Sequence, residues 1–154
     1  MTTLPYIRDF IFPAAFSFLP VEMNTDRARV LLMAIGLQET RFAYRTQIRG
    51  PAKSFWQYEA AGIMGVLTHQ ASKPIMREVL TKLCYDDSVQ VSVEAVEHND
   101  VLACIYARLL LWTDPHPLPD TADLAWDYYL RNWRPGRPRR ESWDENYSMA
   151  WSME

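Results

Sequence analysis

Glu39 closes a stretch in which Val30, Ala34 and Leu37, with Leu31 and Ile35 beside them, recur at helical spacing. A carboxyl group at the end of a largely buried helix is in an unusual place, because desolvation disfavours its charged form. Such a group is a proton donor near neutral pH, which is what cleavage of a glycosidic bond requires beside a substrate cleft. Leu37, Phe42 and Trp56 are the neighbours able to exclude water from one side of it. The competing reading is structural: Glu39 ends its helix and pairs with Arg41 or Arg45.

Most glycosidases need a second carboxylate, as nucleophile or as water-activating base. No Asp or Glu occurs between Glu39 and Glu59, and the segment behind Glu39 is instead basic, with Arg41, Arg45 and Arg49. Glu59 is either the second acid, brought back by a turn at Gly50 and Pro51, or a solvated charge on a short helix beginning at Ser54. His69, His98 and His116 lack ligand spacing, so neither a metal site nor a cofactor is expected. Cys84 and Cys104 lie in apolar helical patterns and read as buried free thiols.

These side chains need a scaffold, and its elements can be read in order. A helix is expected after Asn24 as N-cap, with Asp26 in its first turn. Residues 41–50 alternate polar and apolar and predict a short extended segment; a short helix should then run from Ser54 to Gly62. Ser72 and Pro74 open another helix. Val89, Val91 and Val93 fit either a strand or the lead-in to a helix over 93–98, and helix is favoured. Asn99 caps 100–112, expected to be the central buried helix, while Asp120 with Asp123 and Ser142 with Glu145 resemble capping boxes. Proline clusters mark 1–23, 113–120 and 134–141 as irregular. The sum is a mainly α fold in one domain over 1–154, with 1–23 as an irregular segment packed on it.

The formal net charge of −3 disfavours nucleic acid and anionic membranes as partners. Arg8, Asp9 and three prolines in the first twenty residues fit neither a signal peptide nor a membrane-spanning helix. Arg131, Arg134, Arg137, Arg139 and Arg140, interleaved with Trp133, form the dense basic run. It suits a solvated loop, a grip on anionic peptide stems of peptidoglycan, or a phosphate backbone, the last giving a helical nucleic-acid adaptor that the acidic balance opposes.

The run Ala34-Ile35-Gly36-Leu37-Gln38-Glu39-Thr40-Arg41-Phe42, followed by Gly50-Pro51-Ala52-Lys53-Ser54-Phe55-Trp56-Gln57, resembles the soluble lytic transglycosylase and goose-type lysozyme family. In that family a helix ends in Glu-Ser, and a Gly-Ala segment leads into Gly-Leu-Met-Gln; here Glu39-Thr40 and Ser54-Phe55-Trp56-Gln57 occupy those places. The resemblance implies a lysozyme-like helical domain with a short extended segment or small β-hairpin. It makes Glu39 the catalytic acid, and Gln57, flanked by Trp56 and Tyr58, a substrate-binding residue. Tyr128 and Tyr129 would stand for a later Ala-Tyr-Asn segment of the cleft, although Trp126-Asp127-Tyr128-Tyr129 lacks the Asn. The implied partner is the glycan strand of peptidoglycan, cut at the β-1,4 link between N-acetylmuramic acid and N-acetylglucosamine. In the transglycosylases one Glu suffices, because the substrate's own 6-hydroxyl closes an anhydro ring. The chain also resembles small phage or prophage proteins, which implies residence in a virion or the bacterial cytoplasm and another route to the wall. The alternative implied by the altered Gly-Leu-Met-Gln segment, the missing second acid and the Trp-rich stretch Trp143 to Trp151 is a non-catalytic lysozyme-like structural or interaction protein, such as a phage virion component, with virion or other protein partners.

Overall fold

The computed structural model describes residues 4–154 and is mainly helical; among them, extended pairing is limited to two isolated antiparallel bridges, Thr46 with Lys53 and Lys53 with Tyr58. One hydrophobic core links residues from Ile7 to Ala150.

The N-terminal segment departs from expectation. Helix α1 (Leu4–Tyr6), a π-helical turn (Ile7–Ile11) and α2 (Phe12–Phe16) run on from one another, so the described part of 1–23 is largely helical rather than irregular. Pro13 has no N–H to continue an α-helical ladder. The wider turn, in which the Phe12 N–H bonds to the Ile7 carbonyl, absorbs the defect, and Ile7, Ile11, Phe12 and Phe16 are buried.

Helix α3 (Asp26–Thr40) is buried on nearly every side, packing most extensively against the C-terminal helix and also touching the helix that starts at Asp100. Its N-cap is Thr25, whose hydroxyl accepts from the Ala28 N–H; Asn24 instead accepts from Arg29. The helix ends on Arg41 in the left-handed region (φ 52°), and Phe42 repeats that conformation (φ 53°), turning the ring back beneath Gly36.

Residues 43–58 wind as a small pleat against the helices. The Gln47 N–H bonds to Ala52 and the Ser54 N–H to Arg45, while Lys53 and Tyr58 exchange both backbone bonds. Salt bridges from Arg45 to Asp100 and from Lys53 to Glu97, both 2.7 Å, pin the pleat to the neighbouring helix ends. No helix starts at Ser54, contrary to expectation: Ser54 (φ 69°) and Gln57 (φ 52°) are left-handed, and they form a tight turn. Helix α4 (Ala60–Thr68) follows and runs through Gly62, the expected stop, because burial of Ile63, Val66 and Leu67 outweighs the poor helix propensity of glycine.

Helices α5 (Lys73–Lys82), α6 (Val89–His98) and α7 (Asp100–Trp112) follow. The valine alternation thus resolves as helix from Val89 onward, capped by the Ser88 hydroxyl. Helix α7 starts on Asn99 as expected, accepting from the Leu102 N–H, and is buried along most of its length, sharing the centre with α3. Ser72 sits at the N-cap of α5, but its hydroxyl donates to the Val66 carbonyl. Cys84 proves exposed and Cys104 buried; both are free thiols.

Helix α8 (Ala122–Trp133) is capped by Thr121 rather than Asp120, which pairs with Arg27. A 3-10 turn (Arg140–Ser142) leads into α9 (Trp143–Ser152). Ser142 forms no capping box; its hydroxyl donates to Gln38. Between α7 and α8, Asp114 gathers the chain. Burial opposes its charge, but Arg131, the His116 N–H, Asn132 and the His116 ring together hold the carboxyl far below its usual range. Stability from a lowered carboxyl is present above its unfolded value of about 4 and lost as pH falls through the folded value. Asp114→Asn should therefore cost about 1–3 kcal/mol at pH 7. Urea titrations at pH 7 and in strong acid should show the two proteins converging as acidity rises.

Candidate active site

The C-terminal end of α3, the pleat, one side of α4, the ends of α7 and α8 and the loop after α8 line a cleft of about 880 Å³. Its lining brings together Gln38 and Glu39, Gln57, Tyr58 and Glu59, and Tyr129, Trp133 and Arg139.

Glu39 is half-buried at this junction. Burial raises its pKa above the ordinary carboxylate value; the Tyr129 hydroxyl and the charge of Arg139 pull it partly back. Tyr129 donates to Oε1 at 2.6 Å. Its ring is stacked on Trp143, centroids 5.1 Å apart, and tilted against Trp126, so the hydroxyl is aimed by packing. Neither arginine of the structural reading reaches Glu39. Arg45 grips Asp100 through two bonds of 2.7 Å and lies over the Phe55 ring, and Arg41 has no ion pair among the described residues.

The end of α3 is fixed by Thr40, whose hydroxyl donates to the Phe55 carbonyl at 2.8 Å and accepts from the Phe42 N–H. Position 40, beside the acid, thus ties the helix to the turn that carries Gln57. Gln57 is half-buried, its amide donating to the Ser54 carbonyl at 2.8 Å. Tyr58 borders the cleft but is buried, its hydroxyl donating to the Ala103 carbonyl at 3.4 Å. Glu59 is exposed at the N-cap of α4 and is, with Glu39, one of two carboxylates on the cleft wall.

The chain therefore brings Glu39, Gln57, Tyr58, Glu59 and Tyr129 to one cavity. Compared with known proteins, it matches no family model, no curated protein and no solved structure.

Two expected substrate contacts lie elsewhere. Trp56 is fully buried, donating from its indole to the Leu32 carbonyl at 2.9 Å and packing edge-on to Phe42. A large ring at that place in the turn fills the core under α3 and leaves the wall to its neighbour Gln57. Tyr128 is also buried, its hydroxyl bonded to the Leu111 carbonyl at 3.0 Å beneath Arg131. Adjacent helical residues point about 100° apart, so only one of the two tyrosines can face the cleft.

Trp133 was missing from the expected set. It lies four residues beyond Tyr129 on the same face of α8, a spacing visible in the sequence, and donates to the Trp56 carbonyl at 2.8 Å. Gln38 was also missing: it is buried, donates to the Arg139 carbonyl at 2.9 Å and accepts from Ser142 and Asn146, holding the 134–139 loop against α3. Among the described residues there is no cluster of three metal-ligating side chains and no helix long and apolar enough to cross a membrane.

Proposed function

We propose that this chain cleaves the β-1,4 link between N-acetylmuramic acid and N-acetylglucosamine in peptidoglycan, with Glu39 as the general acid. The observation that carries the reading is the setting of Glu39: a half-buried carboxyl of raised pKa, held by a tyrosine hydroxyl on the lining of a cleft of about 880 Å³. The sequence resemblance around residues 34–57 supplies the substrate class.

Glu39 gives its proton to the bridging oxygen as the bond from muramic acid C1 to that oxygen breaks. Two fates of C1 are compatible with the cleft's carboxylates. The muramic acid 6-hydroxyl attacks C1 and returns its proton to Glu39, leaving an anhydro sugar; alternatively, Glu59 takes a proton from an attacking water. Glu59, exposed at the N-cap of α4 on the lining of the same cleft, is the carboxylate placed for the second role.

Mass spectrometry of purified sacculi digested with the protein tests the reading. Released muropeptides support it, and a product lighter by one water assigns the intramolecular route. Sacculi left intact would overturn it in favour of a non-catalytic interaction protein, such as a virion component.

Tyr129→Phe removes the donor that stabilises ionised Glu39, so the Glu39 pKa rises further. The alkaline limb of the pH–rate profile should move to higher pH. Turnover should nonetheless fall about 10- to 100-fold, because the acid loses its aim.

A further inference from the structure

The five arginines of residues 131–140 divide into two kinds. Arg131 donates to Asp114 at 2.7 Å, and Arg140 is held by Asp123 and Asp144, so both are neutralised by carboxylates of this chain. Arg134, Arg137 and Arg139 are exposed, line the cleft, and have no ion-pair partner among the described residues. The backbone that carries them is anchored at both ends. Trp133 donates to the Trp56 carbonyl, and Arg134 closes α8 with its N–H on the Leu130 carbonyl. At the far end the Arg139 carbonyl accepts from Gln38 and from Ser142. Pro135 and Pro138 restrict the chain between these anchors.

The charge distribution is lopsided. A chain of net charge −3 concentrates three uncompensated guanidiniums on one cleft wall, against two carboxylates of which Glu39 resists ionisation. A guanidinium's planar fork matches a carboxylate bidentately, and a backbone anchored in advance lowers part of the ordering cost of binding.

We propose that Arg137 and Arg139, flanked by Arg134, form a carboxylate-recognition subsite, so that the cleft selects glycan strands bearing free carboxylates. The proposal names the substrate class of the glycan-cleaving site and rests on that reading. The carboxylates are those of the peptide stems, because the lactyl carboxyl of muramic acid is itself an amide wherever a stem is attached. Occupancy also acts on the acid. Arg139 lowers the Glu39 pKa, and a carboxylate bound to Arg139 offsets that pull, so an anionic substrate helps keep Glu39 protonated.

Binding is measured with the Glu39→Gln protein, which leaves strands uncut, on native glycan strands and on strands whose carboxylates have been converted to amides. Native strands should bind about 10-fold more tightly. Arg137→Gln with Arg139→Gln should bring native strands down to the amidated level and leave affinity for amidated strands unchanged, whereas replacing both by Lys should keep part of the preference. Equal affinity for the two strand types, or a preference that survives the double Gln variant, would overturn the subsite, as would tighter binding of a single-stranded oligonucleotide than of native strands. Strands stripped of peptide by an amidase keep only the lactyl carboxyl and should bind more weakly than native strands; equal or tighter binding would overturn the stems as what the subsite reads. Wild-type protein that cuts amidated and native strands at equal rates keeps the glycan-cleaving reading and loses the subsite. Selective binding by a wild-type protein that cuts nothing does the reverse.

Discussion

Glu39→Gln should lower muropeptide release from sacculi by about 10²- to 10⁴-fold, the range over which a positioned general acid acts, while the thermal midpoint holds or rises. The amide has nearly the shape of the carboxyl and its oxygen can still accept the Tyr129 hydroxyl, so the 2.6 Å contact survives and only the transferable proton is lost. The stability sign follows from linkage. A carboxyl whose folded pKa lies above its unfolded value of about 4.3 favours the fold fully at lower pH, and that contribution is lost as pH rises through the folded pKa. The uncharged amide escapes this loss, so the variant's advantage should appear on the alkaline side and fade in acid. Melts at several pH values alongside activity assays separate the possibilities. Full activity in the variant would remove Glu39 as the acid, and a lower midpoint at every pH would make it a structural charge, as pairing with Arg41 or Arg45 would have done.

That pairing was the strongest rival reading of the sequence, and what displaced it was a long-range contact. Arg45 finds Asp100, fifty-five residues away, and Glu39 finds Tyr129, ninety residues away; local spacing carries no trace of either. Helix periodicity, by contrast, is a local property, which is why α3, α5 and α7 could be located from their apolar recurrence, whereas the valines at 89–93 left α6 open between strand and helix. Two caps were legible to within one residue. Asn24 and Thr25, like Asp120 and Thr121, are both able to cap, and in each pair the hydroxyl took the helix while the other side chain took an arginine. The N-terminal prolines misled because a π turn can absorb a missing donor, an option that residue identity does not advertise. The arginine run showed its charge in the sequence. Which members stay unpaired depends on Asp114, Asp123 and Asp144, which only the fold brings near.

Phe42→Ala should be the most destabilising substitution next to the cleft, at about 3–5 kcal/mol. The ring is fully buried, edge-on to Phe55 and Trp56 at 5.5 and 5.7 Å, and it occupies the space where residue 36 lacks a side chain. A Cβ built at Gly36 would meet the Phe42 ring at 2.1 Å, and the two neighbouring aromatics leave that ring nowhere to retreat. Gly36→Ala should therefore cost about 1–3 kcal/mol by overpacking, although alanine is the better helix former by about 1 kcal/mol. In the Phe42→Ala background the obstruction is gone, so the same glycine change should become nearly neutral or stabilising, a coupling that denaturant unfolding of the four proteins measures directly. Strictly additive energies would mean that glycine and ring do not share this space. The cycle bears on activity as well, because Phe42 donates its N–H to the Thr40 hydroxyl that binds α3 to the Gln57 turn. Without the ring the last turn of α3 loses its floor, so Phe42→Ala should lose activity well below its own unfolding temperature, whereas a core residue distant from Glu39 would lose activity only as it unfolds.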